Sequence, residues 1–153
     1  MDSPLTYNTV VPFLLAALPE LQEGYEQERV YSRGAPITPY TLAMFVLVPA
    51  LFKLLQQDEG HDTLRRAFTA VETLLQHPHK EISTLAATKV LKYFALSRPE
   101  IAARAEQYMG PASHSTAMAI RAWHADFKAS KLQQELRAKE RARTARTRRG
   151  RVD

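Results

Sequence analysis

Cysteine is absent from the 153 residues. That removes disulfides, thiolate zinc sites and cysteine nucleophiles together, and it fits a reducing compartment. Glycine occurs only five times, too rarely for a chain built from many hairpins and tight turns. Neither a phosphate-cradling glycine loop nor a nucleophile elbow can be found. Long hydrophobic runs are also missing. The longest covers residues 42–52 and is interrupted by Pro49. A helix of that length rises roughly 16 Å, about half of a bilayer core, so a buried helix is expected there and no membrane span. The apolar run at residues 10–18 has no basic segment before it, and Asp2 has the wrong sign for a secretory leader. The expectation is a cytoplasmic protein.

What is present is an ordinary globular composition, 45% hydrophobic and 24% charged, in a length that suits one hydrophobic core. The net charge of +5 is unevenly placed. Residues 128–153 hold ten Lys or Arg against three Asp or Glu, whereas residues 1–127 hold eleven against thirteen. A mildly acidic helical domain over 1–127 and a basic tail over 128–153 are therefore expected, and the overall charge describes the tail.

The punctuation is helical throughout. Residues 8–18 read as a helix stopped by Pro19, with Pro12 in its first turn. Residues 20–32 follow, with Leu21 and Tyr25 on one side, and end at Arg33-Gly34-Ala35-Pro36. Thr38 as N-cap and Pro39 at the first position open a third helix to about Gln57, apolar nearly all round, which Pro49 should kink or split. After the turn at 58–61, Asp62 or Thr63 is expected to cap a helix whose stripe is Leu64, Phe68, Val71 and Leu75. Across His77-Pro78-His79-Lys80 comes a partner helix, residues 81–95, facing inward with Ile82, Leu85, Ala86, Val90 and Phe94. Ser97 caps a shorter helix with Ile101, Ala105 and Tyr108, ended by Met109-Gly110-Pro111. The last helix should start near Ser113 or Ser115, pack through Met118, Ile120, Ala122, Trp123 and Phe127, and then fray. Beyond Phe127 only Leu132 and Leu136 remain as large apolar residues. The fold class is all-α, a compact bundle of six to seven helices with an extended basic C-terminal helix or tail.

The stretch from Thr63 to Phe94, containing VETLLQHPHKEISTLAATKVLKYF, resembles a HEAT-type antiparallel pair. Pro19-Glu20-Leu21, that helical pair, Met109-Gly110-Pro111 and Trp123 together resemble a family of small helical bacterial proteins of unknown biochemistry, over about residues 10–125. Members of that family occur near polymorphic-toxin loci. The resemblance implies an immunity-like protein that binds and neutralises a partner.

No constellation reads as a catalytic centre. His77 and His79 flank a proline, but a zinc site needs three or four ligands and only His61 and Glu81 stand near. Ser113-His114-Ser115, His124 and Asp126 have the residue types of a Ser-His-Asp system without an oxyanion hole. An enzyme would have to use Glu72, beside an apolar stripe, or the His77/His79 pair. No metal and no cofactor are expected. The carboxylates Glu20, Glu23, Glu26, Glu28, Asp58, Glu59 and Asp62 lie in runs that suit a docking surface for a basic protein partner. Arg137, Lys139, Arg141, Arg143, Arg146, Arg148, Arg149 and Arg151 could instead neutralise nucleic-acid phosphates, although no aromatic residue follows Phe127 to stack on bases. Two functions are thus expected to compete: a non-enzymatic protein-interaction module, and a nucleic-acid-associated protein acting through its tail.

Overall fold

The computed structural model describes residues 4–151. Asp2, on which the leader argument turns, and residues 152–153 at the end of the expected tail lie outside them. Among the described residues there are seven helices and no strands: α1 (Val10–Ala17), α2 (Gln22–Tyr31), α3 (Pro39–Gln57), α4 (His61–Leu75), α5 (80–95), α6 (Pro99–Glu106) and α7 (Pro111–Gly150). The all-α class is as expected. By contacts the chain divides into two units, residues 1–118 and 119–153.

The first unit is built around α3. Thr38 caps it as expected, its Oγ1 accepting the Thr41 N–H at 3.1 Å. Leu42, Ala43, Val46, Leu47, Val48, Leu51 and Leu55 are buried. By length and composition α3 could cross a membrane, and 44% of its apolar window is buried inside the unit. Pro49 does not split it. The turn ahead of the proline widens to a π-turn over Ala43–Leu47, with the Val48 N–H reaching back five residues to the Ala43 carbonyl. That adjustment absorbs the missing donor and the ring clash within one continuous helix. A second π-turn, Ala87–Leu91, interrupts α5 and packs against the first.

The antiparallel pair α4 and α5 closes over α3. Ile82, Leu85, Ala86, Val90 and Phe94 are all buried, as their spacing predicts. On α4 the stripe is Leu64, Ala67, Phe68, Val71 and Leu74; Leu75, expected inward, is only half-buried. Aromatic rings tie the layers together: Phe94 stacks on Phe52 of α3 at 4.7 Å and meets Phe68 of α4 edge-on at 5.6 Å. Two arginines satisfy the exposed carbonyls at helix ends. Arg66 donates to Ala17 O at the end of α1 (3.0 Å), and Arg104 to Leu55 O and Gln56 O at the end of α3 (2.8 and 3.3 Å).

Three expected caps are corrected. The N-cap of α4 is Gly60, not Asp62 or Thr63; both Asp58 and Gly60 take the left-handed conformation, so the chain turns before His61 and Asp62 falls in the first turn. Before α6 the Ser97 hydroxyl bonds backwards to Phe94 O, and Arg98 holds the cap position. The last helix starts at Pro111, earlier than Ser113. At Gly60, φ is +71° and a Cβ would meet Leu54 Cδ2 at 2.7 Å. The leucine tip can yield, so the left-handed backbone dominates. Gly60→Ala should cost about 1–2 kcal/mol, read as a lowered urea midpoint with unchanged slope.

The second unit is the continuation of α7 alone. The expected fraying after Phe127 is not found: α7 runs unbroken to Gly150. Its Ala, Arg, Lys, Gln and Glu content favours helix without any apolar stripe to bury. The expected packing of Met118, Ala122, Trp123 and Phe127 is also corrected, because all four are exposed. Among the described residues no second element exists within that unit to cover Ala122, Trp123 and Phe127; Met118 is the last residue of the first unit.

Candidate functional site

The seven carboxylates expected as a docking surface differ in what they pair with. Glu20, which precedes α2, and Asp62, in the first turn of α4, converge on Arg66. The guanidinium donates to both Glu20 oxygens and, through Nε, to Asp62 Oδ2 at 3.0 Å. Hydrogen bonding to Arg66 holds the Glu20 carboxyl below its ordinary range, against a smaller upward push from burial. Glu26 pairs with Arg29 at 3.3 Å and accepts from Gln22. Among the described residues Glu23, Glu28, Asp58 and Glu59 make no ion pair and remain as surface charge. Three of the seven therefore serve the fold. Arg66→Met should return the Glu20 carboxyl to its ordinary range, as followed by carboxyl NMR titration.

Glu72 is the carboxylate that an enzymatic reading would have used, and its geometry gives it another role. It accepts the backbone N–H groups of Ala112 (2.7 Å) and Ser113 (2.9 Å), and the Ser113 hydroxyl donates to the same Oε2. Ser113 is fully buried. A carboxylate from α4 thereby caps the first turn of α7, where orphan donors and the helix dipole favour negative charge. Burial pushes the Glu72 carboxyl up, but Ser113, Ala112 and the nearby His114 together hold it below its ordinary range. Such a group is ionised, occupied and a weak base. Gly110 makes the approach possible, since a Cβ there would lie 2.7 Å from Glu72 Cδ. Ser113 and Ser115 are thus not the caps of α7, and the Ser113 hydroxyl is committed to Glu72.

Two histidines of the first unit, His77 and His61, are likewise occupied. His77 Nδ1 accepts the His79 N–H at 3.1 Å, which locks their turn. His61 and Tyr108 share a short hydrogen bond, and Tyr108 stacks on Phe68 at 6.1 Å. Among the described residues no group of three or more His, Asp or Glu could hold a metal. Two open grooves mark the first unit. One, of about 360 Å³, is lined by Tyr7, Tyr40, Glu81, Thr84, Leu85, Thr88 and Lys89, with the Lys89 ammonium 5.2 Å from the Tyr40 ring. The other, of about 220 Å³, lies between α2 and α3 beside Glu23, Gln27 and the exposed Phe45.

The second unit carries the larger exposed features. Trp123 and Phe127, one turn apart, stack on each other at 5.6 Å while 60% and 55% exposed; Leu132 and Leu136 follow on the same helix, also more than half exposed. Both are expected from the sequence to pack, but their spacing alone does not separate a covered helix face from a bare one. Beyond them every expected phosphate-contact residue, Arg137, Lys139, Arg141, Arg143, Arg146, Arg148, Arg149 and Arg151, is exposed. By helical spacing Arg137, Arg141 and Arg148 share one side, and Lys139, Arg143 and Arg146 the opposite one.

No curated protein and no solved structure matches the chain. A family profile does match, over residues 11–127, covering most of the first unit and ending at Phe127, before the basic segment begins. The chain belongs to that family, the domain of unknown function DUF7674.

Proposed function

We propose that this chain is a non-enzymatic, cytoplasmic protein-interaction module that presents its last helix to a protein partner. The observation that carries the reading is the bare apolar surface of α7. Five large side chains, Met118, Trp123, Phe127, Leu132 and Leu136, are each more than half exposed within one stretch of helix. Trp123 and Phe127 stack one turn apart on one side of that helix; exposed apolar patches mark interaction surfaces, and tryptophan is prominent among the residues that anchor them. The occupied state of Glu72, His61 and His77 supports binding over catalysis, because the groups best suited to chemistry already hold helices and turns together.

An immunity-type role, in which the partner is bound and neutralised, is the finer form of the same reading, as is the HEAT-like character of the α4–α5 pair. The free carboxylates Glu23, Glu28, Asp58 and Glu59 would complement a basic partner. A tagged chain purified from its native cells should bring down one protein in stoichiometric amount and protect cells from a toxic product encoded beside it. Recovery of the chain alone, with no such protection, contradicts the reading.

A second reading is favoured by the ordered, fully exposed cationic end of α7, which could lie along a nucleic-acid groove with phosphates on either side. Affinity for duplex should then fall about 10³-fold or more between 50 and 200 mM salt. Removing residues 128–153 should abolish it. No binding at low salt rules this reading out.

A further inference from the structure

The end of α7 is charged without compensation. Residues 137–151 hold seven Arg and one Lys against a single carboxylate, Glu140, and every one of these residues is exposed. Among the described residues none of these cations forms an ion pair. The same stretch has no apolar side chain larger than alanine. An apolar protein groove and a lipid interface both need an apolar helix face, so the partner that suits this segment is a polyanion.

The cations are also ordered. By helical spacing Arg137, Arg141 and Arg148 form one row, and Lys139, Arg143 and Arg146 form a second about half a turn of the helix away. Two sides lie between the rows, and they differ. One carries Glu140, Thr144 and Thr147, with both hydroxyls folded back onto the backbone: Thr144 donates to Glu140 O and Thr147 to Arg143 O, each at 3.0 Å. The other carries Ala138, Ala142 and Ala145 with a single long side chain, Arg149.

We propose that this segment lies in the major groove of duplex DNA, its two cationic rows on the phosphates of opposite strands and Arg149 directed at a guanine. The inference rests on the nucleic-acid reading of the basic end. It adds the kind of duplex, the side of the helix that enters and the residue that contacts a base. Width selects the groove. A helix with its side chains is about 10–12 Å across, and the B-form major groove is about 12 Å wide. The B-form minor groove is about half as wide, and the A-form major groove of duplex RNA is deep and narrow. Charge selects the side. Turned inward, Glu140 would face phosphates on both walls; turned outward, it faces solvent. The alanine side then rests on the base edges, short enough for both rows to reach the walls. Arg149 alone on that side can donate paired hydrogen bonds, and guanine O6 and N7 are the acceptors that an arginine fork fits.

Fluorescence anisotropy of the full chain on guanine-containing duplexes at low salt tests the proposal. The DNA should bind about tenfold more tightly than duplex RNA of the same sequence. Replacing guanine by 7-deazaguanine, which lacks the N7 acceptor, should weaken wild-type binding about fivefold or more and leave Arg149→Ala unaffected. Arg141→Ala should keep the guanine effect and lower the slope of log affinity against log salt by about 1. Two charge-matched variants test the side that enters: Ala142→Glu should weaken binding about tenfold more than Thr144→Glu. Glutamate favours helix, so circular dichroism should show wild-type helix content in both. Equal affinity for the two duplexes, no guanine effect, or equal losses from Ala142→Glu and Thr144→Glu overturns the proposal while the nucleic-acid reading stands. No binding to either duplex at low salt overturns both.

Discussion

Replacing Glu72 with alanine is expected to destabilise the protein by about 3 kcal/mol, the sum of a lost helix cap and of donors left buried without an acceptor. Three bonds converge on this carboxylate, and the fully buried Ser113 loses the acceptor of both its N–H and its hydroxyl once it is gone. Glu72→Gln should be nearly as costly, because the amide nitrogen would face a backbone donor. The pH dependence has a defined sign. The folded carboxyl titrates below the unfolded value of 4.5, so the stabilisation is complete above that value and is lost as pH falls through the folded pKa. The gap in melting temperature between wild type and Glu72→Ala should therefore be widest near neutrality and close as pH drops below 4.5. Gly110 supplies an internal control. Its φ is not left-handed, and the three atoms nearest a Cβ there all belong to Glu72. Gly110→Ala should be markedly destabilising alone and close to neutral in the Glu72→Ala background, which a double-mutant cycle would resolve.

The larger loss is expected at Phe94. It is fully buried, stacked on Phe52 and edge-on to Phe68, and so joins three helices at one point. Phe94→Ala should cost about 4 kcal/mol, the usual range for emptying an aromatic site in a packed core. For a folded unit of this size that is a drop of about 10–20 °C in melting temperature. Domains of ordinary stability retain only about 5–15 kcal/mol in all, so this variant should stand near its folding limit. Thermal melting by circular dichroism checks it, and a change of only a degree or two would mean that the three rings do not form one core.

The helix framework was legible because its signals are local. Thr38-Pro39, Arg33-Gly34 and Met109-Gly110-Pro111 each announce a boundary from adjacent residues, and the inward face of α5 follows from spacing alone. What could not be read was long-range. Gly110 registers in the sequence only as a helix stop, whereas its close contact is with a carboxylate 38 positions earlier. The Arg66 bridge that gathers Glu20 and Asp62 spans 46 residues, so the expected acidic surface could not be seen to be partly neutralised at home. The last helix is legible as an extended basic helix because its Ala, Arg, Lys, Gln and Glu content favours helix locally; only its continuation unfrayed to Gly150 is not. Trp123 and Phe127 read as packed residues in the sequence because helical spacing cannot tell whether anything covers a face.

The account turns on that bare face. The most direct test is recovery of the protein partner from native cells by the wild-type chain and by Trp123→Ala/Phe127→Ala, with melting temperatures measured for both. The prediction is loss of the stoichiometric partner from the variant at an unchanged melting temperature. Undiminished recovery by an equally stable variant would contradict it.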